Sequence, residues 1–169
     1  RFDVPSNQIA KPMKQAIVSV EDRRFYEHEG VDWKGALRAM GRNIIKGAVS
    51  EGASTIDQQY VKNYLLLVDA EDEAEQQLAV EQSIPRKLRE MRMASDLDRR
   101  HDKDEILARY LNIVPFGNGA YGVEAASRTY FGIHASELSV AQAAMLAGIV
   151  QSSSLLDPYT NPEGVAERR

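Results

Sequence analysis

Lys103-Asp104-Glu105-Ile106-Leu107-Ala108-Arg109-Tyr110-Leu111-Asn112 carries the plainest structural signal in the chain. Ile106, Leu107, Tyr110, Leu111 and Val114 recur at the i, i+3, i+4 spacing of one helix face. Asp102 stands ready to cap the start, with Glu105 as its capping-box partner, and Pro115 and Gly117 end the run. Working outward, Met13, Ala16, Ile17 and Val20 repeat the pattern, with Pro12 suited to a first turn. Ser139 to Gln151 reads as a third helix, capped by Ser139 and Gln142. Its Ala141, Ala143, Ala144, Met145, Ala147 and Gly148 predict burial against neighbours. Alternating strand patterns are scarce, so the expected fold class is mainly α.

Composition narrows the function classes. The 169 residues carry 25 acidic and 21 basic side chains, a net charge of −4, which argues against coating nucleic acid through bulk charge. Hydrophobic residues at 43% and charged residues at 27% describe a globular chain, and a domain of this length needs no staple. Cysteine is absent, which removes disulfides, zinc-thiolate sites and thiol nucleophiles. The longest apolar run, Ala143 to Val150, is far shorter than the ~20 residues that span a bilayer. The chain begins at Arg1 without methionine and reads as an excised fragment of a longer protein.

Two segments depart from the average. Asp69 to Gln82 is acidic throughout and reads as a solvated loop or an exposed helix face. In Val31 to Val49, Trp33, Leu37, Met40 and Ile44 form a narrow helical stripe, with Lys34, Arg38, Arg42 and Lys46 on the other side. Such a basic amphipathic helix can lie in a membrane interface, but on periodicity alone an ordinary surface helix whose stripe faces the core is the better reading.

The short motifs are weak one at a time. Gly117-Asn118-Gly119-Ala120-Tyr121-Gly122 is a literal GxGxxG, but a helical pattern rather than a strand precedes it, so a tight turn is the better reading. His28, His101 and His134 are far apart and show no HExxH spacing. No GxSxG or SxxK occurs. Glu21-Asp22 at a helix end reads first as a surface helix end with a salt bridge, and otherwise as a carboxyl whose aromatic and apolar neighbours raise its pKa toward acid-base use. Ser54 to Asn63 gathers hydroxyls, amides and an ammonium suited to phosphate or sugar oxygens, and also reads as a helix capped by Ser54 or Thr55. Arg86-Lys87-Leu88-Arg89-Glu90 sets cations one turn before a carboxylate, with Pro85 at a helix start.

Their order is specific. Glu21-Asp22-Arg23-Arg24-Phe25-Tyr26-Glu27-His28-Glu29-Gly30 resembles the EDxxFxxHxG signature of the peptidoglycan glycosyltransferases, glycosyltransferase family 51. Gly52 to Gln59 resembles GxSTxTQQ, Arg86-Lys87 with Glu90 resembles RKxxE, and Lys103 to Asn112 resembles KxxILxxYLN. Gly119 to Gly132 resembles the fifth motif, and the likeness spans nearly the whole chain.

The resemblance implies a lysozyme-like glycosyltransferase fold over residues 1–169, with a head lobe and a small membrane-facing jaw at about 31–50. It implies the module of a class A penicillin-binding protein or a monofunctional relative. The transmembrane anchor and any C-terminal transpeptidase domain then lie outside this fragment. The implied reaction joins lipid II to the nascent glycan strand at the outer face of the bacterial cytoplasmic membrane, without nucleic acid and with moenomycin as an inhibitor. Glu21 is the implied base. Glu90 is the second catalytic carboxylate, which orients cations, assists the leaving group or holds a divalent ion. Ser54, Gln58, Gln59, Lys62, Asn63, Arg86 and Lys87 bind substrate, and Asp22, Phe25 and His28 shape the site. No tightly bound cofactor is implied beyond room for a divalent cation, Mg or Mn. The alternatives are a glycan-cleaving lytic transglycosylase or muramidase of similar fold, and a non-catalytic module that binds lipid II or membrane. Asp57 stands where the family usually has threonine, and is compatible with a phosphate site only if it turns away or pairs with a cation. The stretch between Lys62 and Arg86 is longer and more acidic than the family norm.

Overall fold

The structure is a computed structural model, in which residues 2–38, 54–81 and 83–155 are described. Met40, Arg42, Ile44, Lys46, Gly52 and Gln82, all used in the sequence reading, lie outside the described residues.

The chain is mainly α. Among the described residues there is no strand, only an isolated bridge between Pro115 and Tyr121. Helix α1 runs Lys11–Glu21 and α2 runs Ile56–Tyr64, continuing into a π turn at Leu65–Asp69. Helices α3 (Glu73–Val80), α4 (Ile84–Arg100), α5 (Lys103–Ile113), α6 (Val123–Phe131) and α7 (Val140–Leu155) follow. Residues 33–38 are also helical.

Helix α5 is the hub. Ile106, Leu107, Ala108, Tyr110, Leu111 and Ile113 are all buried, so it is apolar around most of its circumference rather than along one stripe. Each such side chain removed from water contributes about 1.5–3 kcal/mol. Helix α2 packs on both α4 and α5, while α1 packs along α7. Met13 and Ile17 of α1 are fully buried, whereas Val20 is exposed, because the helix leaves the core in its last turn.

The caps explain the boundaries. Asp102 accepts from the Glu105 backbone N–H at 2.8 Å, as expected. The Glu105 side chain, however, pairs with Arg109 and His101 instead of closing a capping box. Ser139 and Gln142 form the expected reciprocal cap of α7. That helix is not buried on all sides: Ala143, Leu146, Ala147 and Val150 face the core while Val140 and Met145 are exposed. The acidic segment forms the exposed helix α3, capped by Asp72. The glycine motif is a turn: Gly117, Asn118, Gly119 and Gly122 all take positive φ, and a Cβ on Gly122 would collide with the Asn112 carbonyl.

Candidate active site

Helix α2 organises the site from its first turn. Thr55 is its N-cap: the hydroxyl accepts from the Gln58 N–H at 3.2 Å, and the Thr55 N–H donates to Gln58 Oε1 at 2.9 Å. The same hydroxyl donates to the Gly30 carbonyl at 2.7 Å, fastening the end of the Glu21–Gly30 loop to this helix. Gly30 has φ +83, and a Cβ there would strike the Ala94 backbone of α4, so only glycine fits. Gln58 is buried and its amide oxygen serves the cap.

Glu21 ends α1 beside that cap. Gln59 Nε2 donates to Glu21 Oε2 at 3.0 Å, and Tyr110 Oη donates to Gln59 Oε1 at 3.0 Å. The tyrosine therefore fixes the amide so that its N–H face meets the carboxylate. Glu21 Oε1 is buried and has no hydrogen-bond partner. Burial raises the Glu21 pKa above the ordinary glutamate value, the Gln59 hydrogen bond opposes that rise, and neighbouring Asp22 adds to it. One oxygen is held by the amide and the other has no partner, so the carboxylate keeps unused acceptor capacity.

Asp22 and His28 brace the loop. Asp22 Oδ2 accepts from the Ile56 N–H at 3.0 Å and lies 2.7 Å from His28 Nε2, with both side chains buried. Phe25 is fully buried, packs edge-on to His28 and Tyr26, and has Lys103 Nζ over its ring.

The cationic part sits at the start of α4, against the start of α2. Arg86 Nη1 and Lys87 Nζ each lie 2.5 Å from a different oxygen of Glu90, which is buried. Lys87 Nζ also donates to Ser54 Oγ at 2.8 Å. Ser54 directly precedes the Thr55 cap, and Gln59 lies one turn into the same helix, so the base and the cations flank one short stretch of backbone. Both Glu90 oxygens are thereby engaged by cations. Lys62 and Asn63 are half-buried in the last turn of α2.

Asp57 turns away from this surface. It is fully buried, with Lys103 Nζ 3.7 Å from Oδ2. Burial pushes its pKa up to about 6, against the opposing influence of Lys103 and His28. The expected conflict with an anionic ligand is met by inward orientation and a buried cation together.

Tyr110, Lys103 and Glu124 went unassigned on sequence. Tyr110 reads as one more apolar position on α5, and its only signal is a hydroxyl in a stripe of aliphatics. Glu124, buried at the start of α6, accepts from the Ala135 N–H at 2.8 Å and pairs with Arg128 and His134, joining the fifth motif to the turn before α7. A groove of about 970 Å³ beside α1, lined by Lys11, Lys14, Tyr26 and Asp104 among others, includes none of these site groups.

Comparison with known proteins supplies the family. A family model described as Transglycosylase matches residues 1–169. The chain is 40% identical to penicillin-binding protein 1A of Mycolicibacterium smegmatis, over 99% of its own length and 20% of that protein. It is 40% identical to penicillin-binding protein 1F of Bacillus subtilis, over 100% of its length and 22% of the relative. For penicillin-binding protein 1A of Streptococcus oralis the identity is 37%, over 100% of the chain and 25% of the relative. The chain thus spans a quarter or less of these relatives. With its whole length matched and its motifs gathered around α2, the chain belongs to the transglycosylase family, the peptidoglycan glycosyltransferases.

Proposed function

We propose that this chain polymerises lipid II. The acceptor's GlcNAc 4-hydroxyl attacks the MurNAc anomeric carbon of the growing chain with inversion, and polyprenyl pyrophosphate departs. The observation that carries this reading is the half-buried Glu21 carboxylate, anchored through Oε2 by Gln59, with Oε1 left without a hydrogen-bond partner. That carboxylate takes the hydroxyl proton as the C–O bond forms.

The departing diphosphate is an anion already, so it needs positive charge more than a proton. Lys87 and Arg86 supply it, with Lys62 at the far end of α2 as a third cation. Glu90 holds both α4 cations in place; with an oxygen committed to each, it orients them rather than ligating a metal ion. Ser54 and Asn63 contact phosphate or sugar, Gln59 positions the base, and Gln58 contributes through the cap. Asp22, Phe25 and His28 keep the loop in register with α2.

The reading extends to the whole protein: a membrane-associated enzyme working at the outer face of the cytoplasmic membrane, with this chain as its glycosyltransferase domain. The names of the relatives as penicillin-binding proteins support a further transpeptidase domain in the full-length protein. A glycan-cleaving enzyme would also use one glutamate, but a neutral glycan gives the Arg86–Lys87–Glu90 cluster nothing to bind.

The test is Glu21→Gln with labelled lipid II, products separated on a gel. Loss of a general base lowers the rate ~100- to 10,000-fold, and the circular dichroism of the variant stays that of the parent. Near-normal polymer from Glu21→Gln removes Glu21 from the chemistry. Cleavage of cell-wall sacculi without use of lipid II replaces the polymerase with the glycan-cleaving reading.

A further inference from the structure

Behind the catalytic surface lies a charged cluster that the reaction does not use. Asp22 and His28 come from the loop after α1, Asp57 from α2, Lys103 from α5 and Asp98 from α4. One ligand-type atom each from Asp22, His28 and Asp57 lies within 4.8 Å of the others, and all three residues are buried.

Two observations show that this arrangement is incomplete. Asp57 is 0% exposed, yet neither of its oxygens is hydrogen-bonded to a neighbouring residue. His28 is 8% exposed, and its Nδ1 is buried without a partner. Buried polar atoms in native proteins are nearly always satisfied, and an unsatisfied charge is the most costly exception. The only ammonium in the cluster, Lys103, is shared between Asp57 and Asp98. Three carboxylates stand against one ammonium and one histidine, so carboxylates are in excess in this cluster.

We infer that Asp22, His28 and Asp57 form a binding site for one divalent metal ion, of the Mn²⁺ or Zn²⁺ kind. One imidazole and two carboxylates are a donor set that both ions accept. Mg²⁺ fits poorly, because it keeps several of its waters and prefers oxygen ligands, whereas these three residues are buried and one of them is an imidazole. A divalent ion matches the excess negative charge and gives the free Asp57 oxygens a partner. The ligands must draw together by about 1 Å to reach bonding distance of a common ion. His28 Nε2 and Asp22 Oδ2, now 2.7 Å apart through a hydrogen bond, exchange that bond for the ion and separate slightly, while Asp57 makes the larger approach. Lys103 remains neutralised by Asp98. The ion ties the Glu21–Gly30 loop to α2 from behind. It is remote from the Arg86–Lys87–Glu90 cluster in role and touches no substrate. It is also peculiar to a chain carrying aspartate at position 57, since the threonine usual in the family brings no anionic ligand.

The experiment uses the whole 169-residue chain, stripped with chelator and then titrated separately with MnCl₂ and ZnCl₂. Binding is followed by calorimetry and by Mn²⁺ electron paramagnetic resonance, stability by thermal unfolding. The expected result is one equivalent bound, a higher Tm, and a loss of affinity of more than about 100-fold in Asp57→Thr. If Asp57→Thr does not fold, the near-isosteric Asp57→Asn gives the same comparison. The wild-type titration decides independently of either variant. No stoichiometric binding to the wild type, or equal binding to wild type and Asp57 variants, overturns the site; the cluster is then neutralised by protons alone. These readouts do not involve lipid II, so they stand or fall separately from the polymerase reading.

Discussion

At the scale of the residue, the two oxygens of Glu21 have different surroundings. Oε2 is held by an amide that is itself held by a phenol, and Oε1 is buried without a partner. A base must be ionised, so turnover falls as pH drops through the Glu21 pKa. Burial has moved that pKa above the usual glutamate value, and the acidic limb of kcat/KM is expected correspondingly high. The Gln59 N–H stabilises the charged form and lowers the pKa. Gln59→Ala therefore shifts the limb to still higher pH, with a loss of rate even on the plateau. Tyr110→Phe acts at one remove. It keeps the ring but frees the amide to rotate its oxygen toward the carboxylate, giving a smaller shift in the same direction. A pH–rate series with lipid II checks both. Identical limbs in wild type and Gln59→Ala mean that the hydrogen bond does not bear on the working base.

At the scale of the element, α2 has a different function at each end of its first turn, and the Thr55 hydroxyl is the joint. Thr55→Val keeps the shape and removes the cap and the bond to Gly30. A lost cap costs about 0.5–2 kcal/mol, and the now unpaired buried Gly30 carbonyl adds about 1–3 kcal/mol. Thermal unfolding should show a Tm several degrees lower. Helix α4 supplies the complementary prediction. Glu90 is buried while Lys87 is partly exposed, so Lys87→Ala removes a ligand for anions without leaving a bare buried charge. Its Kd for the phosphoglycolipid moenomycin should rise about tenfold, read by fluorescence anisotropy, for one charge-assisted hydrogen bond lost. An unchanged Kd takes Lys87 out of the phosphate cradle. These two elements also mark what was legible beforehand. The helices were, because Asp102, Ser139 and the apolar period of α5 are local signals. The residues that would fill the site were legible through motif order. Which partner each one meets was not: Thr55 to Gly30, Lys87 to Ser54 and Tyr110 to Gln59 join residues 25 or more apart, and no local pattern encodes them. Asp57 shows the limit most clearly. Ser54 and Gln59 on either side of it meet the site groups, while helical rotation carries the Asp57 side chain to the buried side.

At the scale of the whole molecule, the proposed function would bring a chain of net charge −4 to a surface rich in lipid phosphate. Bulk electrostatics oppose that approach to an anionic bilayer, so contact depends on where apolar and basic groups are concentrated. Among the described residues no helix is long and apolar enough to cross a membrane. Several large apolar side chains nonetheless face solvent: Trp33 and Leu37 are each 63% exposed, and Ile84 and Leu88 on α4 are 78% and 59% exposed. Trp33 and Leu37 thus lie on the solvent side of the two readings their helical stripe allowed. Trp33 and Leu88 line one groove of about 460 Å³ together with Met91, Arg92 and Arg99, so apolar and cationic groups occur side by side there. Asp96 also lines the groove and pairs with Arg99 at 3.5 Å, so Arg92 is the guanidinium left to meet phosphate while the aromatic and aliphatic groups suit the acyl boundary of an anionic bilayer. Leu37→Glu combined with Leu88→Glu should abolish co-sedimentation with vesicles containing phosphatidylglycerol. Both positions are exposed, so the soluble fold and its Tm should be retained. Binding of the wild type should weaken, without vanishing, on purely zwitterionic vesicles or at high salt, because the apolar contribution persists when the arginine contribution is screened. Equal partition of wild type and double variant would assign these side chains to contact with another protein segment instead of lipid.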